Sequence, residues 1–144
     1  MENDNSLRVR GVIETVLYVD DLVRASAFYR DVLGLRPIKG DEIRFEAFDS
    51  GAAGRVLLLF KRGATLVPAP TPGGIIPPHD GHGPHHIGFA IPASDYEPWL
   101  VRLKRAGVAI ESEGHWDRGG RSIYFRDPDR HLLELITPGI WEIY

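Results

Sequence analysis

The sequence predicts an α+β fold: one domain spanning 1–144, made of two tandem β-α-β-β-β modules that form a curled mixed sheet. Three observations predict it. The order of strand-like and helix-like segments runs through twice. Glu14 precedes the helix-ending Gly34 by 20 residues, and His86 precedes the helix-ending Gly107 by 21. Between the halves, residues 63–83 hold five prolines and five glycines, the composition of a linker and surface loop. The modules are therefore expected at 9–62 and 84–138.

In the first module, Val12–Val19 is rich in β-branched residues and long enough for a strand. Asp20-Asp21 offers an N-cap, and Leu22, Ala25, Phe28/Tyr29 and Val32/Leu33 recur at helical spacing up to Gly34. Arg44–Phe48 and the more apolar Val56–Phe60 follow as strands. The second module opens with the strand-like His85–Ile91. Ser94-Asp95-Tyr96-Glu97 is a capping-box pattern, and Trp99, Leu100, Leu103 and Ala106 share one helical face. Pro98 falls in the first turn, where a missing N–H does little harm. Val108–Ile110, Arg121–Phe125 and Leu132–Ile136 complete the module, the last two joined by the turn Asp127-Pro128-Asp129-Arg130. Neither module alone buries its sheet face, so the two should pack together, within a chain or by exchange across a homodimer.

Composition narrows the function. Seventeen basic against twenty acidic residues give a net charge of −3, which is no footprint for nucleic acid. The longest apolar run, Val56–Phe60, is far short of a membrane span, and the polar opening Met1–Ser6 lacks the apolar segment of an export signal, so a cytoplasmic protein is expected. There are no cysteines. Disulfides, thiolate nucleophiles and Cys-type zinc sites are thereby excluded, and any metal must sit on imidazole and carboxylate, as Zn, Mn, Ni, Co or Fe(II) can.

Three polar residues stand out in otherwise apolar strands: Glu14, His86 and Glu134. A carboxylate buried without a partner costs several kcal/mol, so each must be paired, neutralised or metal-bound. Taken singly, a nearby Arg or an exposed edge explains either Glu, and a hydrogen-bonded core position explains the His. Taken together they occupy three of four repeat-equivalent positions, with Leu58 at the fourth, and their chemistry is complementary. That favours one shared metal site. His85 and His86 face opposite ways, so only one can point into it, while His79 and His82 read as solvent-exposed loop histidines.

The stretches Glu14–Leu35 (ETVLYVDDLVRASAFYRDVLGL), His86–Ile91 (HIGFAI) and Ile123–Leu135 (IYFRDPDRHLLEL) resemble the vicinal oxygen chelate superfamily. That group holds glyoxalase I, bleomycin-resistance proteins, fosfomycin-resistance enzymes and extradiol dioxygenases. The resemblance implies paired modules curled around a divalent metal, with Glu14, His86 and Glu134 as its ligands. Leu58 in the fourth slot departs from the glyoxalase I pattern and is similar to the three-ligand arrangement of the fosfomycin-resistance enzymes and dioxygenases. Glu14 stands where three-ligand members usually carry His, which suits Lewis-acid chemistry better than oxygen activation. Tyr124 and Ser122 resemble substrate-contacting positions, whereas Gly114 and Ile143 stand where phosphonate-binding Lys and Arg would be expected. Arg118 and Arg121 are candidates for holding an anionic small-molecule substrate.

The expected function is that of a metal-dependent isomerase, epimerase, lyase or epoxide-opening transferase, with Glu14 as its base and Tyr124 as a second catalytic group. The competing expectations are a metal-free, bleomycin-resistance-like sequestering protein and an extradiol ring-cleaving dioxygenase.

Overall fold

A computed structural model describes residues 7–51 and 54–144, so the opening Met1–Ser6, read as lacking an export signal, lies outside the described residues. The first module runs β1 (Glu14–Val19), α1 (Leu22–Asp31), β2 (Arg36–Gly40), β3 (Phe45–Asp49) and β4 (Val56–Lys61). The linker holds a short hairpin, β5 (Ala69–Thr71) and β6 (Gly74–Ile76). The second module runs β7 (His86–Ala90), α2 (Tyr96–Arg105), β8 (Ile110–His115), β9 (Arg121–Arg126) and β10 (Leu132–Ile136). Each module keeps its own four-stranded mixed sheet, in the orders β1-β4-β3-β2 and β7-β10-β9-β8. The first and last strands of a module pair in parallel, and the two registers are equivalent: Val16 lies opposite Leu58, and Gly88 opposite Glu134.

Local chemistry accounts for most boundaries. Asp21 caps α1 by accepting the Arg24 N–H at 2.9 Å. Gly107, at φ +72°, ends α2 with bonds from its own N–H to the Lys104 carbonyl and from the Val108 N–H to that of Leu103. The expected capping box at Ser94 does not form. The chain enters α2 through a 3₁₀ turn at Ala93–Asp95, and the Ser94 hydroxyl donates to Asp95 instead. Strand β2 escaped the pattern reading, and β8 begins where Val108–Ile110 was expected to end. Both are largely exposed edge strands with a register shift, so neither shows the alternation that marks a half-buried strand.

The helix-facing sides of both sheets share one core. Leu17, Val19, Phe48, Leu57 and Leu59 meet Ala25 and Tyr29 of α1, while Ile123, Phe125, Leu133 and Leu135 meet Tyr96 and Leu103 of α2. The opposite sheet faces stay partly open. In the first module that face carries Glu14, Val16, Tyr18, Leu58 and Phe60. Glu14 is exposed there, contrary to the expectation of a carboxylate buried on both sides, because β1 sinks into the core only from Val16 onward.

The β9–β10 turn clasps the first module. Tyr29 donates its hydroxyl to Asp127 at 2.7 Å, and the Asp20 N–H donates to Asp129 at 2.7 Å. The buried His131 accepts the His85 N–H on Nδ1 and faces the Tyr18 carbonyl with Nε2, both at 2.8 Å. Among the described residues, no helix is long and apolar enough to cross a membrane.

Tyr29→Phe removes a buried donor to a carboxylate that Asp129 and His131 still bond through their backbones. We expect a loss of about 1–3 kcal/mol, read as a lower urea midpoint at unchanged slope.

Candidate metal centre

Strand β10 is an inner strand, and Glu134 on its open face is only 7% exposed. Its neighbours supply what a buried carboxylate needs. On β9, Tyr124 is its direct cross-strand partner. Burial, and then the Glu134 carboxylate beside it, push the Tyr124 hydroxyl above its usual range, so it keeps its proton at neutral pH. Two residues along the same face, the fully buried Ser122 donates to Glu134 Oε1 at 2.6 Å. Ser122 Oγ in turn accepts the indole N–H of Trp116 at 2.9 Å.

His86 lies on the adjacent strand β7, with its Nδ1 2.9 Å from the Leu132 carbonyl. A carbonyl only accepts, so Nδ1 carries a proton. The other ring nitrogen, Nε2, lies 3.4 Å from Glu134 Oε2. An imidazole oriented by a backbone carbonyl beside a hydrogen-bonded carboxylate is the donor set that suits a divalent ion.

Glu14 does not join them within one chain. Strand β1 meets the start of β7 near Tyr18, whose ring lies 6.0 Å from that of His85. Glu14 is four residues upstream, ~13 Å along an extended strand. The residues beside it, Ile13 and Thr15, instead line an apolar cleft with Ile87 and Phe89. Among the described residues, no three His, Asp or Glu side chains gather closely enough to hold a metal.

Arg121 departs from its expected role. Strand alternation turns it to the helix side, where its guanidinium stacks 3.5 Å over the Tyr96 ring and pairs with Glu97 at 3.2 Å. His79 is also misjudged as a solvated loop residue: its Nδ1 is hydrogen-bonded to the Tyr18 hydroxyl at 2.6 Å, and its ring packs edge-on against Phe60. His82 is exposed, as expected. Sequence reasoning missed Trp116 and His131. Trp116 follows an edge strand with no periodicity to flag it. His131 directly follows the Asp-Pro-Asp-Arg turn and was passed over as part of it.

The profile of the Glyoxalase/Bleomycin resistance protein/Dioxygenase superfamily matches residues 11–135. The chain is 28% identical over 130 residues to the metallothiol transferase FosB of Staphylococcus epidermidis, covering 90% of this chain and 84% of that protein. A shorter match, 42% over 52 residues, links it to the fosfomycin resistance protein FosX of Listeria innocua; it spans 35% of this chain and only 39% of that relative. The crystal structure of lactoylglutathione lyase from Agrobacterium tumefaciens superposes with a TM-score of 0.82 at 30% identity, covering 93% of this chain and 98% of that one.

Arg121→Ala should lower stability by about 1 kcal/mol through the lost stacking on Tyr96. The ring resonances of His86 should stay unchanged, because the guanidinium and the imidazole lie on opposite faces of the sheet. Urea denaturation and NMR of the same sample read both.

Proposed function

Because the chain belongs to the Glyoxalase/Bleomycin resistance protein/Dioxygenase superfamily, we propose that it is a divalent-metal-dependent enzyme acting on a small substrate with adjacent oxygens. His86 and Glu134 of one chain and Glu14 of a second copy are its metal ligands. The observation that carries this reading is His86 Nε2 lying 3.4 Å from Glu134 Oε2, an imidazole and a buried carboxylate brought by adjacent strands within reach of one cation. When bound, the ion supplies Lewis-acid stabilisation of negative charge developing on substrate oxygen.

The chain's own residues divide the remaining work. Tyr124, with its proton retained, is the cross-strand partner of Glu134 and would donate a hydrogen bond to a substrate held there. Glu14, a ligand carboxylate in this reading, is also the group that would take the substrate's proton. Isomerisation, epimerisation, lyase chemistry and epoxide opening all use that pairing of Lewis acid and base.

A homodimer is part of the proposal. The open face bearing Glu14 carries the half-buried Val16, Leu58 and Phe60, and the face bearing Glu134 is open as well. Apposing the first module of one copy with the second module of the other covers both faces and makes two equivalent sites, as a twofold assembly requires.

Metal titration tests all of this. The wild type should take up about one divalent ion per chain, while Glu134→Gln should take up none and keep its far-UV CD spectrum. Neither Glu14→Ala nor Glu134→Gln should bind the ion alone. Unfolded and refolded together, they should recover about a quarter of wild-type uptake, because half the dimers are mixed and each of those has one complete site. Recovery of nothing would rule out the shared site, and a wild type that takes up no ion would favour metal-free sequestration.

A further inference from the structure

Glu134 is held by a chain of hydrogen bonds whose direction is forced. An indole N–H can only donate, so at 2.9 Å Trp116 occupies Ser122 Oγ as an acceptor. Ser122 has one proton, and it goes to Glu134 Oε1 at 2.6 Å. Buried as it is, Ser122 has no proton left for a substrate, which alters the role its sequence position implies. With Oε1 occupied in this way, Oε2 is the oxygen left facing His86.

The seat of the indole is cut by a glycine. Gly114 pairs with Ser122 across β8 and β9, and a Cβ added there would lie 3.0 Å from Trp116 Nε1 and 3.2–3.3 Å from two ring carbons. A side chain at 114 therefore makes the ring give by a few tenths of an ångström beside the hydroxyl. The backbone of Trp116 is fixed as well, its N–H donating to the Gly120 carbonyl at 2.9 Å and its carbonyl accepting from the Gly119 N–H at 2.8 Å. At 43% exposure the ring sits at the rim of the site, with its N–H turned inward.

We infer that Trp116 is a positioning residue: acting through Ser122, it holds Glu134 so that Oε2 alone is presented to the metal. This rests on the metal reading of the preceding subsection. Trp116 touches neither ion nor substrate in this role, and Gly114 is the residue that makes room for it.

Calorimetric titration of the full-length protein with Mn(II) tests the inference. Trp116→Phe keeps an aromatic ring but lacks the N–H, and Ser122→Ala removes the hydroxyl. Each should weaken binding about tenfold, as loss of a partner to a metal ligand does. Because both lie on one path, the double variant should be weakened about tenfold as well, and not a hundredfold. Gly114→Ala should shift affinity in the same direction. In the ¹H–¹⁵N spectrum, Ser122→Ala should move the Trp116 indole N–H upfield, which a merely structural ring would not do. Wild-type affinity in Trp116→Phe, additive losses in the double variant, or an unmoved indole resonance would each overturn the relay while the wild type still binds Mn(II). A wild type that binds no Mn(II) would instead bring down the metal reading, and the role of Trp116 with it.

Discussion

A carboxylate on an inner strand of a sheet has lost most of its water, and its burial costs several kcal/mol unless donors replace that water. Glu134 is in this position, and the arrangement of the second module follows from it. Ser122 and Tyr124 lie on the neighbouring strand and share its face, and the Ser122 hydroxyl donates to it. His86 lies on the strand at its other side, with its protonated nitrogen committed to a carbonyl. Ser122 bonds one oxygen of the carboxylate, and the other oxygen faces the imidazole of His86.

The two faces of each sheet meet different fates. The helix-side faces close within the chain, as the shared core of Leu17, Leu59, Tyr29, Phe125, Leu133 and Leu103 shows. The other faces hold the polar residues with chemical capacity and stay open. The β9–β10 turn fastens the modules together through Asp127, Asp129 and His131, so their relative position is held by buried polar bonds as well as apolar packing. That fastening brings Tyr18 to the start of β7 and leaves Glu14 well up the strand. The same contact that stabilises one chain thus separates Glu14 from His86 in it.

The relatives span metallothiol transferase, fosfomycin resistance and lactoylglutathione lyase functions, and this chain matches the first and last over nearly its whole length. A scaffold that varies its chemistry so widely must do so through the residues around a constant core. Here those residues include Trp116 in the seat left by Gly114 and Leu58 at the fourth equivalent strand position, neither of which carries charge.

Module order, the helix ends at Gly34 and Gly107, and the three anomalous polar residues were legible in the sequence because each depends on neighbours close along the chain. A glycine at positive φ, a capping Asp21 or a Glu amid leucines declares itself within a few residues. Edge strands β2 and β8 were less legible, since exposure erases the alternation that marks a strand. The direction of Arg121, the place of Trp116 beside Ser122 and the bridge made by His131 were decided only by tertiary structure. Each depends on which strand lies next to which, and on contacts between residues up to 113 positions apart. One-dimensional order names the groups able to do chemistry; the pairing of strands and the docking of modules determine which of those groups can reach one another.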